Sequence, residues 1–253
     1  MKHIAIIIIL LFAGNIVLAQ NTHFTTSGTI EFEKTVNMYA WLKKYLSGNT
    51  YGQQVYDQYV KTKPQFAKMK STLTFSKDKS LFTPIVDETV NDSYINDPAV
   101  AQNNIVFNDI LNGTSITRKN VFEDYFLVKD STRKINWKIT DETRDILGYT
   151  CRRANAIIMD SVYVVAFYTD EIAVSGGPES FTGLPGMILG VALPHDNITW
   201  FATKVTDTTI PPAALAPPTK GKAVNNDQLK TTMNEAMKRW GNEGLLYVKI
   251  FSL

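Results

Sequence analysis

Two adjacent carboxylates, Asp170 and Glu171, are the residues of this sequence best suited by type to acid–base chemistry or cation binding. They follow an apolar and aromatic stretch, VYVVAFYT, and precede a loop that contains Gly176. Carboxyl groups can act as general acid and base or hold a hard cation. Neighbouring side chains in an extended segment point to opposite faces, however, so these two do not form a ready pair. We predict a solvated strand end, and a hydrolase that uses Asp170 or Glu171 is the alternative.

Histidine, cysteine and serine form no recognisable catalytic set in this sequence. His23 lies in a polar N-terminal stretch and His195 in a Pro-His-Asp-Asn turn, far from the ligand spacing of a zinc site. Cys151 is the single cysteine, cannot form an internal disulfide, and is predicted to be buried and inert in a strand. Ser175 and Ser180 flank glycines, but a Gly-x-Ser-x-Gly motif is absent. We predict no catalytic residues, no metal and no cofactor, and therefore no enzyme.

The stretch GLPGMILGVAL combines rigid and permissive residues directly before an apolar run. Pro185 restricts Leu184 to extended geometry, and Gly186 can adopt a positive φ, which predicts a type II turn. Gly183 lacks a side chain and would let another backbone approach closely. The run MILGVAL is typical of a strand covered on both faces, with Gly190 at a bend or bulge. A rigid corner that directs a core strand accounts for most of this motif.

The elements around these residues are mostly strands. TIEFEKTVN alternates apolar and polar residues, and STLTFSKDKSLFTPIV predicts a hairpin around Lys77, Asp78 and Lys79. From Asn104 onward, strand-like segments recur at spacings that indicate an antiparallel meander: NIVFND, TSITRK, DYFLVKD, INWKIT, CRRANAII, VYVVAFYT, GMILGVAL and NITWFATKV. No strand–helix–strand alternation is visible, which disfavours a parallel nucleotide-binding sheet.

The other segments complete a mainly β, α+β fold. A short helix or mobile insertion is predicted within 51–69, and a loop over 87–104. Four prolines in 210–218 predict an extended surface linker, and 226–240 has the periodicity of one amphipathic helix, capped at Asn225 or Asn226 and stopped by Gly241. We therefore predict a curved antiparallel sheet or half-barrel, similar to lipoprotein carriers, with one C-terminal amphipathic helix.

Aromatic residues are concentrated in the second half of the chain. Alternation along strands places most of them in the core, while some could line an apolar hollow that binds a small molecule or lipid. Phe181 and Tyr168, together with Asp170 and Glu171, are the candidates for ligand or partner contact.

The GLPG motif and its surroundings resemble a known family. The motif residues are Gly183, Leu184, Pro185, Gly186, Met187 and Ile188. They resemble the signature of the GLPGLI family of exported Bacteroidota proteins, with Met187 in place of the usual leucine. Gly148-Tyr149-Thr150-Cys151 with Ala154, and AFYTDEIAVSGGPESF, match the family's context; Ala173 departs from its common proline. The resemblance spans about 148–205. It implies an envelope protein without established activity, often associated with outer-membrane transport systems.

The N-terminal sequence and the composition limit where the protein can be located and what it can bind. MKHIAIIIILLFAGNIVLAQ has the charge, apolar run and small residues of a secretory signal peptide over residues 1–19, with the mature domain at 20–253. No cysteine lies at the cleavage site, so we expect no lipid anchor and only peripheral membrane contact. The 26 Lys and Arg nearly balance the 24 Asp and Glu, and no basic stripe for nucleic acid is visible. The protein is expected in the periplasm, at the outer membrane, or secreted.

Three functions remain open from the sequence. The first is a non-catalytic module that binds an apolar ligand or a partner protein on a concave sheet. The second is an accessory protein that docks to an outer-membrane transport system through 210–218 or through a C-terminal strand, LLYVKIFSL, over 245–253. The third is the hydrolase described above.

Overall fold

The computed structural model describes residues 25–46, 50–89 and 92–253. The predicted signal peptide and His23 lie outside the described residues. Within them, twelve strands form one sheet: β1 (Ser27–Asn37), β2 (Phe66–Ser76), β3 (Lys79–Ile85), β4 (Ile105–Asp109), β5 (Thr114–Val121), β6 (Asp124–Ser131), β7 (Lys138–Ile146), β8 (Tyr149–Ile158), β9 (Val162–Thr169), β10 (Met187–Leu193), β11 (Ile198–Asp207) and β12 (Lys222–Val224).

The sheet consists of two antiparallel meanders joined through β1. The strand order is β12-β6-β5-β4-β3-β2-β1-β11-β10-β9-β8-β7. All neighbours pair antiparallel except β12, which adds to β6 in parallel. The predicted mainly β fold with a large, curved, open antiparallel sheet is therefore confirmed.

Alternating burial along β1 shows why the period-two pattern predicted a strand. The side chains of Ile30, Phe32, Lys34 and Val36 are buried, and the residues between them are partly or fully exposed. In β10, by contrast, six of seven residues are buried, as expected for a strand covered on both faces. The register between β10 and β9 shifts at 188–190, which confirms the predicted irregularity near Gly190.

Five α-helices are present in the described part of the chain: α1 (Met38–Leu46), α2 (Thr50–Thr62), α3 (Pro98–Ala101), α4 (Asn226–Met237) and α5 (Asn242–Phe251). The predicted C-terminal helix is α4, which begins with a capping box between Asn225 and Gln228. It packs on the core through Leu229, Met233 and Met237. A 3₁₀ turn follows at Lys238–Trp240, before Gly241 with a φ of 58°.

Three predictions about the connecting segments need correction. The predicted strand over 245–253 is wrong, because 242–251 forms α5, whose Val248, Ile250 and Phe251 pack into the core. The predicted loop over 87–104 contains the four-residue α3. The short helix predicted as one of two alternatives within 51–69 is present as α2. The segment 210–218 contains a 3₁₀ turn, Pro212–Leu215, with Leu215 buried. Polarity and prolines obscured α3 and the 3₁₀ turn, whereas the apolar run of α5 fits a strand or a buried helix equally well.

Candidate functional site

The LPG corner has a different geometry from the predicted type II turn. The Gly186 N–H donates to the Leu184 carbonyl at 2.8 Å, which closes a three-residue turn around Pro185. Gly186 has a φ of 145°, and a Cβ there would lie 2.1 Å from the Thr169 carbonyl oxygen. The close backbone approach predicted at Gly183 therefore occurs at Gly186, whereas Gly183 is required by its φ of 91°.

The motif and its aromatic neighbours belong to the core. Leu184, Met187 and Ile188 are buried, as are the contact candidates Phe181 and Tyr168. Phe181 packs against Trp200 with ring centroids 6.0 Å apart. The corner is thus a packing feature, and these aromatic side chains do not line an open surface in this structure.

The candidate carboxylates Asp170 and Glu171 do not belong to a group of catalytic or metal-binding side chains among the described residues. Asp170 is exposed at the end of β9. Glu171 is partly buried, and its Oε1 accepts a hydrogen bond from the Thr150 backbone N–H at 3.1 Å. His195 is exposed in its turn, and the thiol of Cys151 is buried, which raises its pKa to about 12. Within the described residues, no group of His, Cys, Asp and Glu is arranged to hold a metal ion.

The segment between β9 and β10 instead carries a different carboxylate into the interior. Glu179 is buried and adopts a φ of 52°, and its Oε2 accepts a hydrogen bond from Asn104 Nδ2 at 3.1 Å. Gly177 permits this path, because a Cβ there would lie 2.5 Å from the Phe181 carbonyl oxygen. Burial raises the pKa of the Glu179 carboxyl, while the charges of Lys34 and Lys119 oppose that rise.

Lys34 is a buried cation whose hydrogen bonds are complete. Its Nζ donates to the carbonyl oxygens of Val100 and Ala101 at 2.8 and 3.3 Å, and to Gln102 Oε1 at 3.0 Å. Three acceptors match the three hydrogens of an ammonium group, and two of them are carbonyls at the end of α3. Burial lowers the pKa of Lys34 to about 8, partly offset by Glu179.

Lys119 and Arg133 hold the end of α5. Lys119 Nζ donates to the Phe251 carbonyl at 2.8 Å, and Arg133 Nη2 donates to the carbonyls of Ser252 and Leu253 at 2.6 and 3.0 Å. Ser180 Oγ also donates to the Leu253 carbonyl, at 2.9 Å. Burial lowers the pKa of Lys119 to about 8, and the positive charge of Arg133 contributes to the decrease. These donors fix the end of α5 against β5 and the segments that contain Arg133 and Ser180.

Two cavities open on this cluster of buried charges. The larger, which we name the Arg133 cavity, has a volume of ≈690 Å³ and is lined by β4–β6, the β8–β9 turn, α4 and α5. Its lining includes Lys119, Arg133 and Glu179. Because β8–β9 and β4–β6 lie in different halves of the strand order, the sheet must curve to bring them to one cavity.

The second cavity, which we name the Trp200 cavity, has a volume of ≈600 Å³ and lies beside β2 and β3. Glu179 lines both cavities, and Lys34 lines this one. Ser71 Oγ and Trp200 Nε1 on its wall are buried without a hydrogen-bond partner among the described residues. Both cavities carry many polar side chains, which differs from the apolar hollow expected from the sequence.

Sequence reasoning overlooked Lys34, Lys119 and Glu179, although two of them leave a signal. Lys34 lies on the same face of its strand as the buried Phe32 and Val36, and Lys119 lies on the same face as Val121. A lysine at an inward-facing position is a rare placement that indicates a buried interaction. Glu179 leaves no such signal, because it lies in an irregular segment.

The class of protein defined by these features is a single-sheet β domain that encloses charged side chains between its curved sheet and its C-terminal helices. None of the helices in the described residues combines the length and the apolar character needed to cross a bilayer.

Comparison with known proteins then identifies the family. The family described as "N-glycanase peptide, N-terminal domain" matches residues 66–230, more than half of the chain, and the protein belongs to it. Comparison with curated proteins found no similar sequence.

Two solved structures of PNGF-II share the fold. One, in space group P21, has a TM-score of 0.52 and 16% identity over 82% of this chain; the other, in space group C2, has a TM-score of 0.51 and 15% identity over 81%. The chain spans about a third of the length of PNGF-II, since the match covers 33% and 32% of those chains.

Proposed function

We propose that this protein is an exported, non-catalytic domain that binds a polar ligand, the glycan part of a glycoprotein or glycopeptide, in the Arg133 cavity. The observation that carries the proposal is the lining of that cavity. Amide, carboxylate and ammonium groups surround ≈690 Å³, a volume within the range of about 300–1,000 Å³ usual for small-molecule sites.

The chemistry of this lining favours a saccharide over a lipid. Sugar hydroxyls both donate and accept hydrogen bonds, so they match a wall that mixes donors and acceptors. Asn108 and Asn234 offer both functions, Asp160 accepts, and Lys119 donates. The ligand is therefore proposed to be polar, in place of the apolar ligand expected from the sequence.

The family supports the choice of glycan. Its description names an N-glycanase, and PNGF-II carries a domain of this fold within a chain about three times as long. Export to the envelope and membership of the GLPGLI family remain predictions from the sequence. Docking to an outer-membrane transport system retains only 210–218 as a candidate contact, because 245–253 is largely occupied by the packed helix α5.

Isothermal titration calorimetry with an asparagine-linked chitobiose peptide tests the proposal. Asn234 is exposed on α4 and lines the cavity, so Asn234→Trp should fill part of it and weaken binding by about tenfold or more. Glu235 is the exposed neighbour that does not line the cavity, so Glu235→Trp is the matched control and should bind like the wild type. Absence of binding, or equal affinity in both variants, would contradict the proposal.

A further inference from the structure

Lys119 differs from Lys34 in how many of its hydrogen bonds are made. Lys34 donates all three of its ammonium hydrogens to described residues. Lys119 is only 8% exposed, yet its Nζ has one acceptor among the described residues, the Phe251 carbonyl. Two N–H donors of a buried cation are thus left for another acceptor in the Arg133 cavity.

Arg133 adds further donor capacity beside Lys119. Its Nε donates to Ser180 Oγ at 3.2 Å, and its Nη2 donates to the two carbonyls that follow α5. Nη1 has no acceptor among the described residues. The two cations are close enough for Arg133 to lower the pKa of Lys119.

The lining of the cavity places one buried acidic side chain, Glu179, beside Lys119 and Arg133. The remaining charged groups of the lining cancel in number: Asp130, Asp160 and Asp227 against Lys134, Lys230 and Lys249. Glu179 also interacts with Lys34, so its charge is shared between two lysines. A buried ammonium group with unused hydrogens, such as Lys119, therefore gains from a further acceptor.

We infer that Lys119 and Arg133 form an anion subsite in the Arg133 cavity, which takes the carboxylate of an acidic saccharide. This inference rests on the proposed function and specifies its ligand class. A carboxylate supplies acceptor oxygens for the unused hydrogens of Lys119 and Arg133, in charge-assisted hydrogen bonds. A neutral sugar can occupy the same cavity but offers these donors only weaker, neutral acceptors.

The test compares 3′-sialyllactose with its methyl ester by calorimetry on the full chain. The two ligands share every sugar ring and differ at one group, a charged carboxylate in the acid and an uncharged methyl ester in the other. We expect the acid to bind about 10- to 100-fold more tightly than the ester, the difference expected for one charge-assisted hydrogen-bonded contact. The comparison needs no variant, so loss of folding cannot obscure it.

Variants then assign the preference to Lys119. In Lys119→Gln the side chain keeps an amide donor but carries no charge, so the preference for the acid over the ester should fall severalfold, and Arg133 should account for what is left. Lys129→Gln, at an exposed position of β6 outside the cavity lining, is the matched control and should retain the preference.

The outcomes separate the two proposals. Equal binding of acid and ester would overturn the anion subsite and leave the saccharide site standing. A preference that is undiminished in Lys119→Gln would also overturn the assignment. No binding of either ligand or of the neutral chitobiose peptide would overturn both proposals.

Discussion

The substitution Lys34→Met should destabilise the fold by about 3 kcal/mol. This value is the difference between the cost of the hydrogen bonds lost and the cost of burying a charge, which methionine avoids. Removal of Nζ leaves the carbonyls of Val100 and Ala101 and the Gln102 side chain without their donor. Each unsatisfied buried acceptor costs about 1–3 kcal/mol, so three cost about 6 kcal/mol. The burial that lowers the pKa of Lys34 from 10.5 to about 8 costs about 3 kcal/mol, which methionine recovers.

Lys204→Met provides a matched control for this prediction. Lys204 contacts Glu31 at 3.5 Å, and both side chains are more than half exposed. Surface pairs of this kind contribute about 0–1 kcal/mol, so this variant should remain within about 1 kcal/mol of the wild type.

Urea denaturation at pH 7, followed by tryptophan fluorescence, measures both variants. The charge of Lys34 lowers the pKa of the Glu179 carboxyl, so the two residues should be energetically coupled. Lys34→Met combined with Glu179→Gln should therefore cost about 1–2 kcal/mol less than the sum of the single substitutions. A Lys34→Met loss below 1 kcal/mol, or additive effects in the double variant, would refute the argument for a structural ion cluster.

Two further predictions concern the motif and the cysteine. Gly186→Ala should destabilise the fold by about 3 kcal/mol or more in thermal or urea unfolding, because its Cβ would overlap the Thr169 carbonyl. Gly148→Ala is the control: Gly148 has a φ of 84° but open space around it, so this variant should cost only about 1–2 kcal/mol. Similar losses in the two variants would contradict this account. The pKa of Cys151 is raised by burial to about 12, so the folded state keeps a proton that the unfolded state releases above pH 9, and stability is lost as pH rises. Between pH 9 and 10.5 the wild type should lose about 1 kcal/mol per pH unit more than Cys151→Ala in urea unfolding, and parallel pH profiles would contradict that.

The sheet was predictable because its strands repeat a local pattern. Alternation in TIEFEKTVN and the uniform apolarity of MILGVAL correspond directly to one-sided burial of β1 and two-sided burial of β10. The start of α4 was equally predictable, because its capping box joins two residues that are three positions apart, Asn225 and Gln228. Each of these signals lies within about ten residues of chain.

The candidate site was not predictable in the same way, because its contacts are distant in sequence. Lys119 contacts Phe251 across 132 positions, and Arg133 contacts Leu253 across 120. The apolar run LLYVKIF fits either a strand or a buried helix by periodicity. Donors from β5 and the segment after β6 hold the end of the helix, and no local sequence pattern indicates them.

The contrast between Lys34 and Lys119 separates a structural role from a binding role. An ammonium group taken out of water must recover its hydrogen bonds, and Lys34 recovers all three from the protein. Lys119 recovers one, beside a second cation, so two of its three hydrogens are not used in folding. Loss of Lys34 should therefore appear mainly in unfolding free energy, and loss of Lys119 mainly in affinity for an acidic ligand.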